Sequence, residues 1–275
     1  MTLTQDYKAE VEREGYVIVQ VLEGDELSEA QAVAQQYYDQ IHNAPDADAG
    51  SRHANWFLKE GSLWESMYGL AYDPRIVKVI EHILGGSLIW QGGVMFASGA
   101  KYTQGWHRDV TQVPEVDIDL DWFSPEVLFN NVQLNLAFFD DECLWIVPRS
   151  HNRPNTDAEI DVFQGSLHDS PLGVDMPGAI PVVLKAGQCA FYNNLLIHRG
   201  HNAKGAKRVT YHSAYVRKDL PPTWHFYTPR LAEAMEPYFR TLAAPLQQYY
   251  DDYQAMLKQY PSARDSYRIS DAVRR

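Results

Sequence analysis

The chain is poor in cysteine, in positive charge and in long apolar runs, and each shortage narrows its function. Its 275 residues include two cysteines, Cys143 and Cys189, with neither a CxxC pair nor a zinc-ligand spacing, so nothing asks for a disulfide framework or a cysteine metal site. Both sit in apolar, strand-like runs and read as buried free thiols. Lys and Arg number 24 against 36 Asp and Glu, a formal net charge of −12. An acidic chain with no basic stripe is not expected to bind nucleic acid. The same balance argues mildly against a highly anionic substrate, although one local basic pocket would escape a whole-chain count. No apolar run approaches the ~18 residues that span a bilayer. Met1 to Glu14 lacks the regions of a signal peptide, so a soluble, cytoplasmic protein without membrane partners is expected. No repeat, low-complexity segment or linker-like shift divides the sequence, which predicts a single domain over 1–275.

What is present divides into a helical lead-in (1–86) and a strand-rich remainder. Hydrophobic residues make up 45% of the chain and aromatics 12%, ample for a packed core. Thr4 to Arg13 predicts a short helix with Thr4 as N-cap and Gly15 as stop. Tyr16-Val17-Ile18-Val19 predicts a strand. Leu27, Ala30, Val33, Ala34 and Tyr37 recur at helical spacing, placing a second helix over Leu27 to Ile41. Pro45 to Gly50 reads as a loop. Asp73-Pro74 is an N-cap followed by proline at the first helical position; the helix it opens carries Ile76, Val77, Ile80, Ile83 and Leu84 on one face and stops at Gly85-Gly86. His42, His53 and His82 fall in this part and read as surface or capping residues.

From Ser87 the period changes. Leu88 to Ala97 and Ala100 to Trp106 read as strands. Val110 to Glu126 is a long connection with two prolines and alternating acids, either a lid over an adjacent site or a solvated acidic loop. In Val127 to Phe139, Asn131, Gln133 and Asn135 alternate with Val132, Leu134 and Leu136. This is either a strand lining a hydrated or ligand-filled cavity or one with a face in water. Strands follow over Leu144 to Val147, Ile180 to Leu184, Gln188 to Tyr192 and Arg208 to Val216. Leu195 to Ile197 is read as an apolar strand ending at His198, with His201, Asn202 and Gly205 in the turn after it. Residues 152–178 read as irregular. Many short strands with Gly/Pro turns and no helices between them predict a mainly β fold with flanking helices, built on an antiparallel barrel or jelly roll over about 87–217. C-terminal helices are expected over about 229–260, where Leu246, Tyr249, Tyr250, Tyr253, Met256 and Leu257 form a stripe read as core packing.

The candidate chemistry starts at Gly105-Trp106-His107-Arg108-Asp109. Side chains two apart on a strand share a face, so His107 and Asp109 can reach one point. With a second histidine they would form the two-His-one-carboxylate triad that leaves positions on Fe(II) open. Alone, His-x-Asp also fits a surface turn with a satisfied histidine. His198, followed ten residues later by Arg208, supplies the missing parts: a second imidazole, and a planar fork that matches a carboxylate. Thr210 lies on the same strand face as Arg208. His201 is a competing distal ligand, but His198 is favoured by its place after the apolar run and its distance to the arginine. His151 reads as structural and Trp106 as packing, while His212 shares the face of Arg208 and is a candidate pocket lining. Gln133 and Asn135 are candidate hydrogen-bond donors to cosubstrate or substrate.

The stretches WHRD, LWIVPRSH after an acidic turn, and AGQCAFYNNLLIHRGHN ending in KRVTY resemble the phytanoyl-CoA dioxygenase-like Fe(II)/2-oxoglutarate oxygenases over roughly residues 5–217. The resemblance implies a double-stranded β-helix, with His107, Asp109 and His198 matching the iron ligands and Arg208 matching the residue that grips the distal carboxylate of 2-oxoglutarate. It implies Fe(II), 2-oxoglutarate and O2 as cofactors. The implied reaction is hydroxylation of an unactivated C–H of a small molecule, with succinate and CO2 as co-products; desaturation or ring closure are variants. Related halogenases have a small residue where this chain has Asp109, so halogenation is not expected. The chain departs from the family in having Pro-Arg-Ser-His for the usual Pro-Gly-Ser-His, and Glu142-Cys143 for an Asn-Gly. Two other readings stand beside this one: a cupin-like metal oxygenase or isomerase without 2-oxoglutarate, and a jelly-roll binding protein without turnover. Substrate contacts would come from parts of 50–65, 110–127 and 152–178.

Overall fold

Local capping sets the flanking helices. The computed structural model describes residues 6–42, 53–109, 128–168, 175–220 and 229–259; the loops expected at Pro45 to Gly50 and Val110 to Glu126 lie outside them, as does Thr4. Helix α1 (Tyr7–Glu14) is capped by Asp6, whose Oδ1 accepts from the Ala9 N–H at 3.1 Å. The elements then run β1 (Tyr16–Gln20), α2 (Gly24–His42), β2 (His53–Trp56), a 3-10 helix (Glu65–Tyr72) and α3 (Pro74–Leu84). Asp73 caps α3 through the Arg75 N–H at 2.8 Å. Its buried face carries Ile76, Val79, Ile80, Ile83 and Leu84. There follow β3 (Leu88–Ser98), β4 (Tyr102–Thr103), β5 (Asn131–Ala137), β6 (Asp141–Ile146), α4 (Asp157–His168), β7 (Ile180–Leu184), β8 (Gln188–Asn193), β9 (His198–Asn202), β10 (Arg208–Arg217), α5 (Pro229–Phe239) and α6 (Ala244–Gln259).

The strands form two antiparallel sheets, ordered β1-β8-β5-β10-β3-β2 and β4-β9-β6-β7. β3, β10, β5 and β8 facing β4, β9, β6 and β7 make the eight strands of a double-stranded β-helix, and β1 and β2 extend the larger sheet. Because side chains alternate along a strand, that sheet has two different faces. The outward one (Leu134, Leu136, Phe191, Val209, Tyr211 and Tyr215) packs with residues of α2, α3 and α6 into the largest apolar cluster. The inward one contributes Ala137, Ala190 and Tyr192 to a smaller cluster with Leu144, Ile146, Val182, Leu184 and Leu196 between the sheets. All seven residues of β5 are buried, so the polar side of its alternation faces the interior of the roll and not bulk water. Leu246, Tyr250, Tyr253, Met256 and Leu257 of α6 are buried in the main cluster, as core packing requires. Cys143 and Cys189 are free and buried.

Three expectations are corrected. Residues 152–178 are not irregular throughout: α4 forms because Thr156 and Glu159 close a capping box, Glu159 N–H donating to Thr156 Oγ1 at 3.3 Å and Thr156 N–H to Glu159 Oε2 at 2.7 Å. Leu195 to Ile197 is a buried turn and not a strand, because Asn193 Oδ1 accepts from the Leu195 N–H at 2.8 Å and starts an Asx turn. His198 therefore opens a strand, and His201 and Asn202 belong to it. Finally, only Tyr102 and Thr103 of Ala100 to Trp106 are strand. Pairing resumes as an isolated bridge at His107.

Candidate metal centre

That bridge puts His107 opposite His198. Each N–H donates to the other's carbonyl at 3.0 Å, and the ring centroids lie 4.3 Å apart. Each imidazole Nδ1 meets the carbonyl of the residue two before it at 2.8 Å, Gly105 for His107 and Leu196 for His198. A carbonyl only accepts, so Nδ1 carries the proton and both Nε2 lone pairs remain available to a metal. Asp109 is fixed from its backbone: its N–H donates to Asn194 O at 2.8 Å, and its carbonyl accepts from Asn194 Nδ2 at 2.9 Å. The carboxylate then lies 3.8 Å from His107 Nε2 through Oδ1 and 3.3 Å from His198 Nε2 through Oδ2. One ligand atom from each of His107, Asp109 and His198 lies within 4.8 Å of the others. Burial alone would raise the Asp109 carboxyl; with no metal bound, protonation of the two imidazoles at Nε2 and the Gln133 hydrogen bond hold it well below the usual range.

Arg108, between the two ligands, points the other way and is 2% exposed. Its guanidinium donates to the carbonyls of Ser150 and Leu195 and to Asn155 Oδ1. The ligand pair is thus fastened to the loop after β6 and to the turn before His198.

The inward face of the large sheet supplies the next shell of contacts. Gln133 Nε2 donates to Asp109 Oδ2 at 2.5 Å, and Gln133 Oε1 lies 3.1 Å from His212 Nε2. That nitrogen also meets Tyr192 OH at 2.7 Å, and the Tyr192 ring stands edge-on to His198 with centroids 5.2 Å apart. Gln133 therefore turns its amide toward the carboxylate candidate. Asn135 and Thr210 are buried on the same face, and neither Asn135 Oδ1 nor Thr210 Oγ1 has a hydrogen-bond partner. Arg208, 7% exposed, forms an ion pair with Asp141 (Nε to Oδ2, 3.1 Å) and donates from Nη1 to Tyr102 OH.

The other histidines separate from this cluster. His201 lies three positions past His198 and so on the opposite strand face; its Nδ1 meets Thr103 Oγ1 at 2.8 Å. It lines a cavity of about 410 Å³ on the rim of the smaller sheet, with Asp141, Trp145, Val183, Lys185 and Lys207, that contains none of the three donors. His151 is buried against α1, its Nε2–H donating to Glu12 O at 3.2 Å. Trp106 is buried in a small apolar cluster with Arg199 over its ring at 4.4 Å. Sequence reasoning missed Tyr102, Asp141 and Tyr192, whose places depend on cross-strand register. Asp141 was the most legible of them, an acid opening a strand whose side chain would enter the roll.

These residues fit a metal and a dicarboxylate. Two neutral imidazole nitrogens and one ionised carboxylate on one side of a point suit Fe(II) and leave its other side open. The unpartnered Thr210 hydroxyl beside a buried guanidinium suits an anionic oxygen. No helix among the described residues is long and apolar enough to cross a membrane.

Solved structures share the fold. SnoN from nogalamycin biosynthesis, a non-heme alpha ketoglutarate dependent epimerase, is 24% identical over 79% of this chain and 85% of its own, with a TM-score of 0.54. SnoK, an alpha ketoglutarate dependent carbocyclase from the same biosynthesis, is 17% identical over 84% and 91%, with a TM-score of 0.55. EctD from S. alaskensis with bound Fe is 17% identical over 82% and 81%, with a TM-score of 0.56. No curated protein sequence matches the chain. A family model described as phytanoyl-CoA dioxygenase (PhyH) matches residues 11–209. That match covers well over half of the chain, which therefore belongs to the phytanoyl-CoA dioxygenase family of oxygenases that use Fe(II), 2-oxoglutarate and O2.

Proposed function

We propose that the protein is a cytoplasmic 2-oxoglutarate-dependent dioxygenase of the hydroxylase type, a single domain acting on an unactivated C–H bond of a small molecule and releasing succinate and CO2. The observation that carries this reading is the convergence of two Nε2 lone pairs and the Asp109 carboxylate within 4.8 Å. His107, Asp109 and His198 would hold Fe(II), which with bound 2-oxoglutarate supplies O2 activation driven by oxidative decarboxylation. The remaining work falls to this chain's own side chains. Arg208 and Thr210 bind and orient the distal carboxylate of the cosubstrate. Gln133 holds Asp109 in one rotamer, with His212 and Tyr192 behind it. Asn135 offers its open Oδ1 to a donor on the substrate or on a bound water. The buried walls of the roll exclude bulk water from the reacting centre. Asp109 occupies the third ligand position, so that position is not open to a halide.

The test is an anaerobic titration of metal-free protein with Fe(II) and then 2-oxoglutarate. A weak visible charge-transfer band is expected, lost in His107→Ala and weakened or shifted in Arg208→Ala. Iron binding without the band, and no succinate on admitting oxygen, would overturn the 2-oxoglutarate reading in favour of the cupin-like one. Absence of iron binding would leave a binding protein. With a substrate in hand, a product that gains no oxygen atom would replace hydroxylation by an epimerase- or cyclase-type outcome at the same residues.

A further inference from the structure

The Arg208 guanidinium does not stand alone at its end of the roll. Asp141, at the start of β6, is 5% exposed and accepts from Arg208 Nε at 3.1 Å. The other Asp141 oxygen accepts from the Cys143 N–H at 2.9 Å, so the carboxylate is tied to its own strand. Tyr102 OH, from β4, accepts from Nη1. Among the described residues no group accepts from Nη2. The arginine is therefore gripped on two flanks, and its remaining hydrogens lie on the side not taken by Asp141 or Tyr102. Thr210, two residues along β10 and on the same face, has a buried hydroxyl with no partner.

Register sets the distance from the metal candidates. Tyr102 pairs with Asn202 and His107 with His198. Tyr102 thus stands four residues along β9 from the level of His198, about 13 Å at the rise of a strand. Arg208 and His212 are separated by the same four residues on β10, and His212 contacts Gln133, which donates to Asp109. Both sheets place the gripped guanidinium one fixed interval from the metal centre.

We propose that Asp141 and Tyr102 are positioning residues for the cosubstrate: they lock the Arg208 guanidinium so that Nη2 and the Thr210 hydroxyl meet the distal carboxylate of a 2-oxo diacid of one chain length. The proposal rests on the 2-oxoglutarate reading above. Asp141 neutralises much of the arginine's charge, so its service is directional: a buried guanidinium that is already paired cannot swing to follow a longer or shorter diacid. Without the clamp the arginine reorients, which weakens 2-oxoglutarate binding and blurs the choice among 2-oxo diacids.

Calorimetry on the Mn(II)-loaded protein with 2-oxoglutarate, 2-oxoadipate and oxaloacetate tests this without turnover. Asp141→Asn is expected to weaken 2-oxoglutarate by roughly tenfold, the scale on which outer partners of a binding group act. Preference over 2-oxoadipate should shrink by a similar factor, while Mn(II) affinity stays within about twofold because no metal ligand is touched. Tyr102→Phe, which leaves the ion pair intact and covers the case in which Asp141→Asn fails to fold, should do the same by about threefold. Asp141→Glu should restore neither affinity nor selectivity, because its added methylene moves the clamp. Parental or tighter 2-oxoglutarate binding in Asp141→Asn or Tyr102→Phe, with unchanged preference, would overturn the proposal. If the parent protein binds Mn(II) but no 2-oxo diacid, the underlying functional reading fails first, and that outcome is distinct from any failure of the clamp.

Discussion

The two faces of the larger sheet are chemically opposite, and on its strand β5 both are fully buried. Outward, polar atoms are few and satisfied: Ser213 Oγ donates to Gly92 O at 2.8 Å and accepts from Trp90 Nε1, and Tyr215 OH donates to Ala71 O at 2.7 Å. Inward, Asn135 Oδ1 and Thr210 Oγ1 are buried and unpartnered. A buried polar atom left open lowers stability, so such atoms persist in a fold where something else answers them. Along β5, where every residue is buried, burial does not separate core from site; unmet hydrogen-bonding capacity does.

The sharpest way to break that contrast is to damage each face separately. Leu136→Ala, on the outward face, is expected to lower folding stability by about 2–5 kcal/mol through cavity formation while leaving Fe(II) and 2-oxoglutarate affinity at pH 7 unchanged. Chemical denaturation and the anaerobic titration read the two effects. A comparable loss of cosubstrate affinity would show that the faces are not independent.

His151 offers a harder test, because its Nδ1 is also buried and unpartnered although it lies outside the roll's interior. Its cause is different: burial pushes the imidazole down from 6.5 to about 4, keeping it neutral. Between these values the unfolded chain binds a proton that the folded chain refuses, so stability rises with pH across the window and is lost as pH falls toward 4. The loss is about 3 kcal/mol at most. Denaturation midpoints between pH 7 and pH 4.5 should show this slope. His151→Gln should flatten it without changing 2-oxoglutarate binding at pH 7. A change in binding would make His151 part of the ligand seat and blur the distinction.

The smallest effects refine the same comparison. Thr210→Val removes an unanswered hydroxyl and should leave stability unchanged or raise it by up to about 1 kcal/mol, while weakening 2-oxoglutarate. Tyr215→Phe removes an answered one and should cost about 1 kcal/mol with cosubstrate binding intact. Opposite signs in thermal denaturation are the expected signature.

How much of this could be read from the sequence depended on how local each signal was. The caps at Asp73 and Gly85 and the alternation of β5 were legible because they are written in neighbouring residues. His107 and Asp109 were legible as a pair, and His198 by its spacing to Arg208. The capping box of Thr156 and Glu159 was equally local and was missed inside a turn-rich segment. Leu195 to Ile197 misled because a buried turn and a buried strand have the same apolar composition; Asn193 decided between them through a side-chain hydrogen bond. Asp141 and Tyr102 could not be assigned, since nothing in their own neighbourhoods says that β6 and β4 bring them to one guanidinium.

Arg108 carries a consequence for the order in which the molecule is made. It ties the residue between two candidate metal ligands to backbone carbonyls 42 and 87 positions further along the chain. Contacts of such long separation form only when those distant segments have met, so the candidate ligand pair is expected to be set late in folding.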